Sequence, residues 1–227
     1  MKKTDVYIIV PAFNEEPVIG DTLKELLLLD YSIVVIDDAS TDNTGNIVKK
    51  LPVAYVRHKV NLGQGAAIQT GISYALQKGA DYFVTFDADG QHSPSDIAVL
   101  LQKLKNDSLD FIFGSRFAAD TKTEIRGSRK IVLQIARYLN FLLTGILLSD
   151  AHNGLRAFSK KAAESIHISE NRMAHATEFL LLVKKNKLKY AEVPVQIRYT
   201  DYSKKKGQKN FHSFKVLQDI LLHKIFR

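Results

Sequence analysis

The 227-residue chain predicts an α/β fold, a mostly parallel sheet flanked by helices. In its first half, short runs rich in Val, Ile, Phe and Tyr alternate with longer amphipathic segments, which is the pattern of buried strands joined by helical crossovers. Alternating strands and helices predict a parallel sheet with helices on both faces. The length suits one domain, and neither a repeat nor a low-complexity linker interrupts it. We therefore expect a single domain over residues 1–227.

Five short apolar runs are predicted as strands: Val6–Pro11, Ser32–Asp37, Val53–Val56, Tyr82–Phe86 and Asp110–Gly114. Helical patterns lie between them in "PVIGDTLKELLLLD", "AAIQTGISYALQKG" and "SPSDIAVLLQKLKND". The last of these opens on Ser93, a predicted helix cap, with Pro94 in the first turn.

The second half has a different pattern. Its predicted elements are a long helix over Ile131–Leu148, a short strand and turn in "NGLRAFS", a helix in "HATEFLLLVKKN" and a strand in "KYAEVPVQIRYT". Pro194 in that last strand indicates an edge or irregular position, because proline cannot donate to the ladder. A basic loop, "DYSKKKGQKNFHSF", and an amphipathic helix over Phe211–Phe226 follow.

Composition narrows the class of protein. The chain has 45% hydrophobic and 25% charged residues, as soluble globular proteins do, and no cysteine, which excludes disulfides and thiolate metal sites. It shows neither a secretory signal nor an apolar stretch of transmembrane length, so we expect a cytoplasmic protein. A net charge of +8 indicates an anionic partner such as nucleic acid, a phosphorylated ligand or an acidic membrane surface.

Four polar stretches follow the first four predicted strands. They are Pro11–Glu15, Asp37–Asp42, Asn61–Gly65 and Asp87–His92. In open parallel sheets, ligands bind beyond the carboxyl ends of the strands. We term these stretches the strand-end rim and expect them to gather into the active site.

The last stretch of the rim carries two carboxylates directly after an apolar strand. Residues two apart in an extended chain point the same way, so Asp87 and Asp89 can face one ligand, and Gln91 extends the alternation. Hard oxygen donors of this kind suit Mg²⁺ or Mn²⁺. A solvated turn is the alternative, but burying unpaired carboxylates at a strand end is unfavourable and favours a cation there.

The other stretches offer groups for a nucleotide. Asp38 can accept hydrogen bonds from a ribose or base, while Asp42 is placed to cap the next helix. Phe13 offers a stacking face and Glu15 a further acceptor. Gly63-Gln64-Gly65 is glycine-rich but lacks the dinucleotide fingerprint, so by itself it is weak evidence.

Taken in order and spacing, "VPAFNEE", "VVIDDASTDNT", "NLGQGAAIQTG", "DADGQHSP" and "FGSRF" resemble family 2 glycosyltransferases of the GT-A fold. The resemblance is strongest to the polyprenyl-phosphate branch, the dolichyl-phosphate mannose synthase type. "NGLRAFS" and "EVPVQI" continue it, so that it covers roughly residues 5 to 200. It implies a Rossmann-like GT-A domain with a nucleotide-sugar-binding half, about residues 1–116, and an acceptor and membrane-side half, about residues 117–227.

The resemblance also implies roles for particular residues. Contacts to the nucleotide are implied for Pro11, Phe13, Glu15, Asp38, Gln64 and Asp87. The metal positions are Asp87, Asp89 and Gln91, with Arg116 near the phosphates. An arginine for the lipid phosphate aligns loosely with Arg129, and Lys130 is an equal candidate. Polyprenyl relatives show an arginine followed by Gly-x-Ser-Lys, whereas this chain has Gly207-Gln208-Lys209 and lacks the serine.

The implied reaction moves a sugar from a UDP- or GDP-linked donor to an acceptor, with inversion and with Mg²⁺ or Mn²⁺ stabilising the departing diphosphate. A polyprenyl phosphate acceptor is already ionised and needs no base. A glycan or protein hydroxyl would need one, and Glu178 is the candidate, unless it only pairs with a lysine on a helix surface. Lys209 and its lysine neighbours Lys204–Lys206 are expected to contact phosphate, although a solvated surface loop is the alternative.

Membrane contact is a further expectation. The segments Ile131–Leu148 and Phe211–Phe226 each have an apolar face and scattered bases, as interfacial helices do, although packing on the core is the alternative. We therefore expect a peripheral protein on the cytoplasmic face of a membrane, or one with a membrane partner.

Two other function classes are disfavoured. A nucleic-acid-binding module is motivated by the net charge, but the acidic rim repels a phosphate backbone. A nucleotidyltransferase would show a glycine-rich phosphate loop with a basic residue near the N-terminus, which "PAFNEEP" does not offer.

Overall fold

The computed structural model describes residues 5–118, 138, 141–142, 144–171 and 174–198. These residues form seven strands and six helices whose bounds lie within the described ranges. In chain order they are β1 (Val6–Ala12), α1 (Ile19–Leu27), β2 (Ser32–Asp37), α2 (Thr44–Val48), β3 (Ala54–Arg57), α3 (Gln64–Gln77), β4 (Tyr82–Thr85), α4 (Ser95–Asn106), β5 (Phe111–Ser115), β6 (Arg156–Ser159), α5 (Lys160–Ser165), α6 (His175–Lys185) and β7 (Tyr190–Pro194).

The strands form one seven-stranded sheet in the order β3-β2-β1-β4-β6-β5-β7. All neighbouring pairs are parallel except those of β6, which runs antiparallel to both β4 and β5. The predicted α/β class and mostly parallel sheet are therefore confirmed. β7 lies at the edge of the sheet, where Pro194 is its last residue, as its proline predicted.

Helices cover both faces of the sheet because successive strand residues point to opposite sides. On one face, α3, α5 and α6 pack against Tyr7, Ile9 and an aromatic group that includes Phe83, Phe111 and Phe158. On the other face, α1 and α4 pack against the alternate residues of the same strands. Every side chain of β1 is buried, so the central strand is held from both sides.

Two predicted helix boundaries are wrong, and the last predicted strand ends earlier than expected, at Pro194. Residues 145–148 are not helical, so a helix cannot run to Leu148. Gly145 has a φ of 67° and donates its N–H to the carbonyl of Phe141 at 2.7 Å, a left-handed ending that glycine adopts without strain. Ser93 does not cap α4, because Pro94 holds the cap position and the Ser93 hydroxyl bonds that of Ser95 at 2.8 Å.

Most of the predicted helix Ile131–Leu148, the basic loop and the helix Phe211–Phe226 lie outside the described residues. Within the described part of the chain, no helix has both the length and the apolar character needed to cross a bilayer.

Candidate active site

The loops after β1 and β2 are tied together by their polar side chains. Asn14 donates its backbone N–H to the hydroxyl of Ser40 at 3.0 Å, and Glu15 donates its N–H to the hydroxyl of Thr44 at 2.8 Å. Glu15 is itself buried, while Phe13 is 43% exposed and leaves its ring available for stacking. Pro11 is buried within β1, opposite Ile36, and its predicted contact with a nucleotide stays a prediction.

Asp38 joins the second loop to the third. One carboxylate oxygen accepts the Leu62 N–H at 2.9 Å and lies 2.7 Å from Nδ1 of His58, and the other accepts the Gly63 N–H at 2.6 Å. Gly63 has a φ of 102°, which favours glycine at this bend. The structure therefore uses Asp38 to hold the loop at residues 61–63, a role that the sequence did not predict. Its predicted contact with a nucleotide stays a prediction.

Asp42 anchors the start of α2. One of its oxygens accepts the Thr44 N–H at 3.0 Å, and the other accepts the N–H of Glu16 at 3.1 Å. Burial alone would raise the pKa of Asp42, but these hydrogen bonds lower it. The cap position of α2 is Asn43, so Asp42 acts one residue before it.

Asp87 lies just beyond β4 and is held on two sides. Gln64, the first residue of α3, donates its side-chain N–H to Oδ1 at 2.9 Å, and Nε2 of His92 lies 3.2 Å from Oδ2. The third and fourth stretches of the rim therefore meet at this carboxylate. Burial works against its ionisation, but the hydrogen bond and charge of His92, with the nearby charge of Arg156, lower the pKa of Asp87.

A glycine makes room for Asp87. A Cβ atom at Gly154, which precedes β6, would lie 1.9 Å from Oδ2 of Asp87. The Asp87 carboxylate thus occupies the space that a side chain at residue 154 would fill. Gly154 is held there because its carbonyl accepts the hydroxyl of Thr85 at 2.7 Å.

Asp89 is the second carboxylate of the site. Its Oδ1 accepts the backbone N–H of Gln91 at 3.0 Å. Burial and the charge of Asp87 raise the pKa of Asp89 to about 6, and Glu15 adds to the effect. These acidic groups therefore repel one another, which is a situation that a divalent cation relieves.

The donors present fit a hard divalent cation. Asp87 and Asp89 supply carboxylate oxygens, and Gln91 follows in the same turn with a neutral amide oxygen. Among the described residues, no group of three His, Cys, Asp or Glu side chains forms a metal cage. Such a partial donor set suits Mg²⁺, which keeps waters and uses one or two carboxylates with substrate phosphates.

Arg116, which is predicted to lie near the phosphates, is paired with a carboxylate of its own chain. Arg116 donates to Asp150 through Nε at 2.6 Å and through Nη2 at 2.8 Å, a two-point ion pair. Burial of Asp150 would raise its pKa, but the Arg116 contacts lower it. Arg116 therefore anchors Asp150 in this structure, and its predicted contact with phosphates stays a prediction.

Glu178, on the first turn of α6, accepts three hydrogen bonds. Its oxygens receive the N–H and hydroxyl of Ser169 at 2.9 and 2.6 Å and the N–H of Glu170 at 2.8 Å. It thus fixes a turn that packs on Gly65, whose N–H bonds the Asn171 carbonyl at 2.9 Å. All three of these contacts are to N–H and hydroxyl groups, and none of the three is to a lysine, the partner considered as the alternative role.

A cleft of about 210 Å³ opens beside Asp89, between α1 and the segment after β7. Arg198 lines it and bonds Glu25 at 2.8 Å, and its backbone N–H bonds the Gln91 carbonyl at 2.8 Å. The chain therefore leaves β7 directly alongside the Asp87–Gln91 turn. Arg129, Lys130 and Lys209, predicted to contact the acceptor phosphate, lie outside the described residues.

The sequence placed His92 in the strand-end rim without a role of its own, and it assigned no role to Gly154 or Arg156, although all three shape the site. His92 lay within the quoted "DADGQHSP", and the other two lay within "NGLRAFS". The signal for Arg156 was a charged residue in a strand that otherwise reads as apolar, and Gly154 had no local signal.

The fold and the acidic site define the class: the protein is a glycosyltransferase with the GT-A fold. The family model for "Glycosyl transferase family 2" matches residues 7–166, and the chain belongs to that family. The solved structure of glucosyl-3-phosphoglycerate synthase from Mycobacterium tuberculosis, in complex with Mn²⁺, UDP and phosphoglyceric acid, is similar in fold, with a TM-score of 0.65. It is 18% identical, and the match covers 94% of this chain and 77% of that one.

Relatives in sequence confirm the resemblance to the polyprenyl-phosphate branch. The UDP-N-acetylglucosamine–dolichyl-phosphate N-acetylglucosaminyltransferase of Methanococcus voltae is 36% identical, over 97% of this chain and 96% of that protein. The dolichol-phosphate mannosyltransferase of Pyrococcus furiosus is 30% identical, over 91% of this chain and 60% of that protein.

Proposed function

We propose that this protein transfers a sugar from a UDP- or GDP-linked donor to the phosphate of a polyprenyl lipid, with inversion at the anomeric carbon. The observation that most supports this proposal is the acidic turn after β4, where Gln64 and His92 hold Asp87 beside Asp89. An acidic turn of this kind suits a divalent cation with a diphosphate. The relatives named for dolichyl-phosphate acceptors support the choice of acceptor.

The proposed step is a single displacement. An oxygen of the acceptor phosphate bonds to the anomeric carbon as the bond from that carbon to the β-phosphate oxygen breaks. The electron pair of that bond leaves with the nucleoside diphosphate. No proton has to move, because a phosphate monoester is already ionised near neutral pH.

Asp87, Asp89 and Gln91 would hold Mg²⁺ or Mn²⁺. When bound, the ion supplies positive charge that stabilises the departing diphosphate. The chain's own contribution is orientation: Gln64 and His92 fix Asp87, and Asp38 fixes the loop beside it. Phe13, with its exposed ring, is the proposed stacking face for the base.

The contacts of Glu178 favour a phosphate acceptor over a hydroxyl acceptor. Because its carboxylate already accepts three hydrogen bonds, we assign it to the turn at residues 169–170 rather than to a base. Glu178→Gln tests this assignment. Retained turnover on polyprenyl phosphate supports it, whereas turnover lost with donor binding and thermal stability both intact supports a hydroxyl acceptor with Glu178 as base.

The basic residues Arg129, Lys130 and Lys209 are proposed to meet the lipid phosphate. These assignments rest on the family resemblance, and the described chain supports a site nearby only as far as Arg198, whose N–H bonds the Gln91 carbonyl. We propose that the first half of the chain, about residues 1–116, binds the donor and that residues 117–227 serve the acceptor. The protein would then act peripherally at the cytoplasmic face of a membrane, alone or with a membrane partner.

The function is tested by screening UDP- and GDP-sugars against polyprenyl phosphate, with Mn²⁺ or Mg²⁺ and with release of nucleotide as the signal. We expect one donor to give lipid-dependent release that stops in a chelator and returns with Mn²⁺. Asp89→Ala is the matched variant and is expected to lose transfer. Folded protein that binds none of these donors in calorimetry would contradict the proposal, and so would full activity of Asp89→Ala in chelator.

A further inference from the structure

A buried arginine lies under the acidic turn. On the α6 face of the sheet, β4, β6 and β5 contribute residues in register, since Thr85 and Phe113 both pair with Arg156. The layer below Arg156 is aromatic: the ring of Phe158 lies 5.4 Å from that of Phe83 and 5.2 Å from that of Phe111, measured between centroids. The layer above Arg156 holds the Asp87 carboxylate. From bottom to top, the layers are Phe83–Phe158–Phe111, Thr85–Arg156–Phe113, and Asp87 beside Gly154.

Arg156 is only 1% exposed, and its Nε and Nη1 atoms have no hydrogen-bond partner among the described residues. Its guanidinium lies 4.9 Å from the centre of the Phe179 ring. Burial lowers the pKa of Arg156 to about 10, against the opposing charges of Asp87 and Asp150, so the side chain is cationic at neutral pH. A purely structural role explains poorly why a charged arginine is buried here, because an apolar side chain would fill an aromatic layer without the penalty of burying a charge.

The position of the Arg156 charge affects which ligands the acidic turn binds. A fixed cation beneath Asp87 repels a bare divalent cation and attracts a diphosphate. The charge of Arg156 therefore disfavours binding of the metal without nucleotide and favours binding of the anionic donor. The charge stays in place because the surrounding side-chain layers fix the arginine.

We infer that Arg156 is a positioning residue for sugar transfer, a permanent positive charge that biases the acidic turn towards the nucleoside diphosphate and against the metal alone. The inference rests on the proposed function, from which its ligand, a nucleoside diphosphate, is taken. Its effect on the metal alone can be measured without any transfer activity.

The test compares Arg156→Met, which removes the charge at similar length, with Arg156→Lys, which keeps it. Two kinds of titration are made at pH 8: Mn²⁺ alone, followed by electron paramagnetic resonance of the free ion, and UDP or GDP alone in a chelator, followed by calorimetry. In Arg156→Met, we expect Mn²⁺ to bind about tenfold more tightly, and the nucleotide that the unmodified protein binds to bind about tenfold more weakly, which is the scale of one nearby charge. We expect Arg156→Lys to stay within about threefold of the unmodified protein in both titrations.

Opposite changes in the two affinities distinguish charge from structure, because a disrupted fold weakens both ligands. Weakening of both, or no change in either, would overturn the inference, and so would an absence of Mn²⁺ binding in every protein. If Arg156→Met does not fold, Arg156→Gln undergoes the same titrations. If both neutral variants unfold while Arg156→Lys folds, the charge serves the fold and the inference is wrong. Protein that binds Mn²⁺ but transfers no sugar contradicts the proposed function alone, and the Mn²⁺ titration still decides the role of Arg156.

Discussion

Adding one methyl group at Gly154 should displace the carboxylate on which the proposed chemistry depends. A Cβ there would lie 1.9 Å from Oδ2 of Asp87 and 2.4 Å from its Cγ, whereas ordinary contacts begin at 3.4 Å. The carboxylate must therefore move by about 1.5 Å. A misplacement of about 1 Å can cost on the order of 100-fold in rate, so we expect Gly154→Ala to lose at least that much transfer activity.

The same displacement should lower stability. Asp87 would lose much of its bonding to Gln64 and His92, and hydrogen bonds to a charged group contribute about 1.5–3 kcal/mol each. Because the carboxylate can relax into the site, we expect the free energy of unfolding to fall by about 2–4 kcal/mol.

The assay pairs nucleotide release with thermal unfolding and with Mn²⁺ affinity. Gly20→Ala in α1 is the matched control, since its Cβ would lie 3.3 Å from the nearest atom, Cγ2 of Ile47, and should leave activity within about twofold. A Gly154→Ala protein with activity and Mn²⁺ affinity like those of the control would refute the reasoning, because Asp87 would then not need its observed position.

Three further predictions concern charged groups. Because the pKa of Asp89 is raised to about 6 in the folded protein, its contribution to metal-free stability is present at low pH and lost as pH rises from about 4 to about 6. Asp89→Asn should therefore stabilise the metal-free protein by about 1–3 kcal/mol at pH 7.5 in denaturant unfolding and abolish stabilisation by Mn²⁺; unchanged stability would contradict this. Asp38→Asn should lower the free energy of unfolding by about 2–4 kcal/mol and speed amide exchange at Gly63, because bonds to a charged acceptor are lost; exchange at the unmodified rate would argue against the anchoring role. Arg116→Lys should lower the melting temperature, because lysine cannot make the two-point pair with Asp150, and a variant as stable as the unmodified protein would count against that pair.

Much of the fold and part of the site followed from local sequence pattern. The apolar run ending at Asp87 predicted a buried strand with carboxylates beyond it, and the structure has β4 at Tyr82–Thr85 with that turn following. The observed contacts from Asn14 to Ser40, from Asp38 to Gly63 and from Gln64 to Asp87 confirm that the strand-end rim gathers. Strand periodicity determines which residues are buried and where each strand ends, and both are local properties.

The remaining features depended on contacts between segments far apart in the chain. The reversed direction of β6 brings Gly154 and Arg156 against Asp87, although no local pattern in "NGLRAFS" specifies its neighbours. The partners of Asp38, Arg116 and Glu178 were likewise unreadable, because hydrogen bonds are chosen among all the donors that packing brings near. The sequence by itself therefore determined the α/β class and the acidic strand end. Only the tertiary structure decided which side chains hold Asp87 and which charge lies beneath it, since those are set by the packing of distant strands.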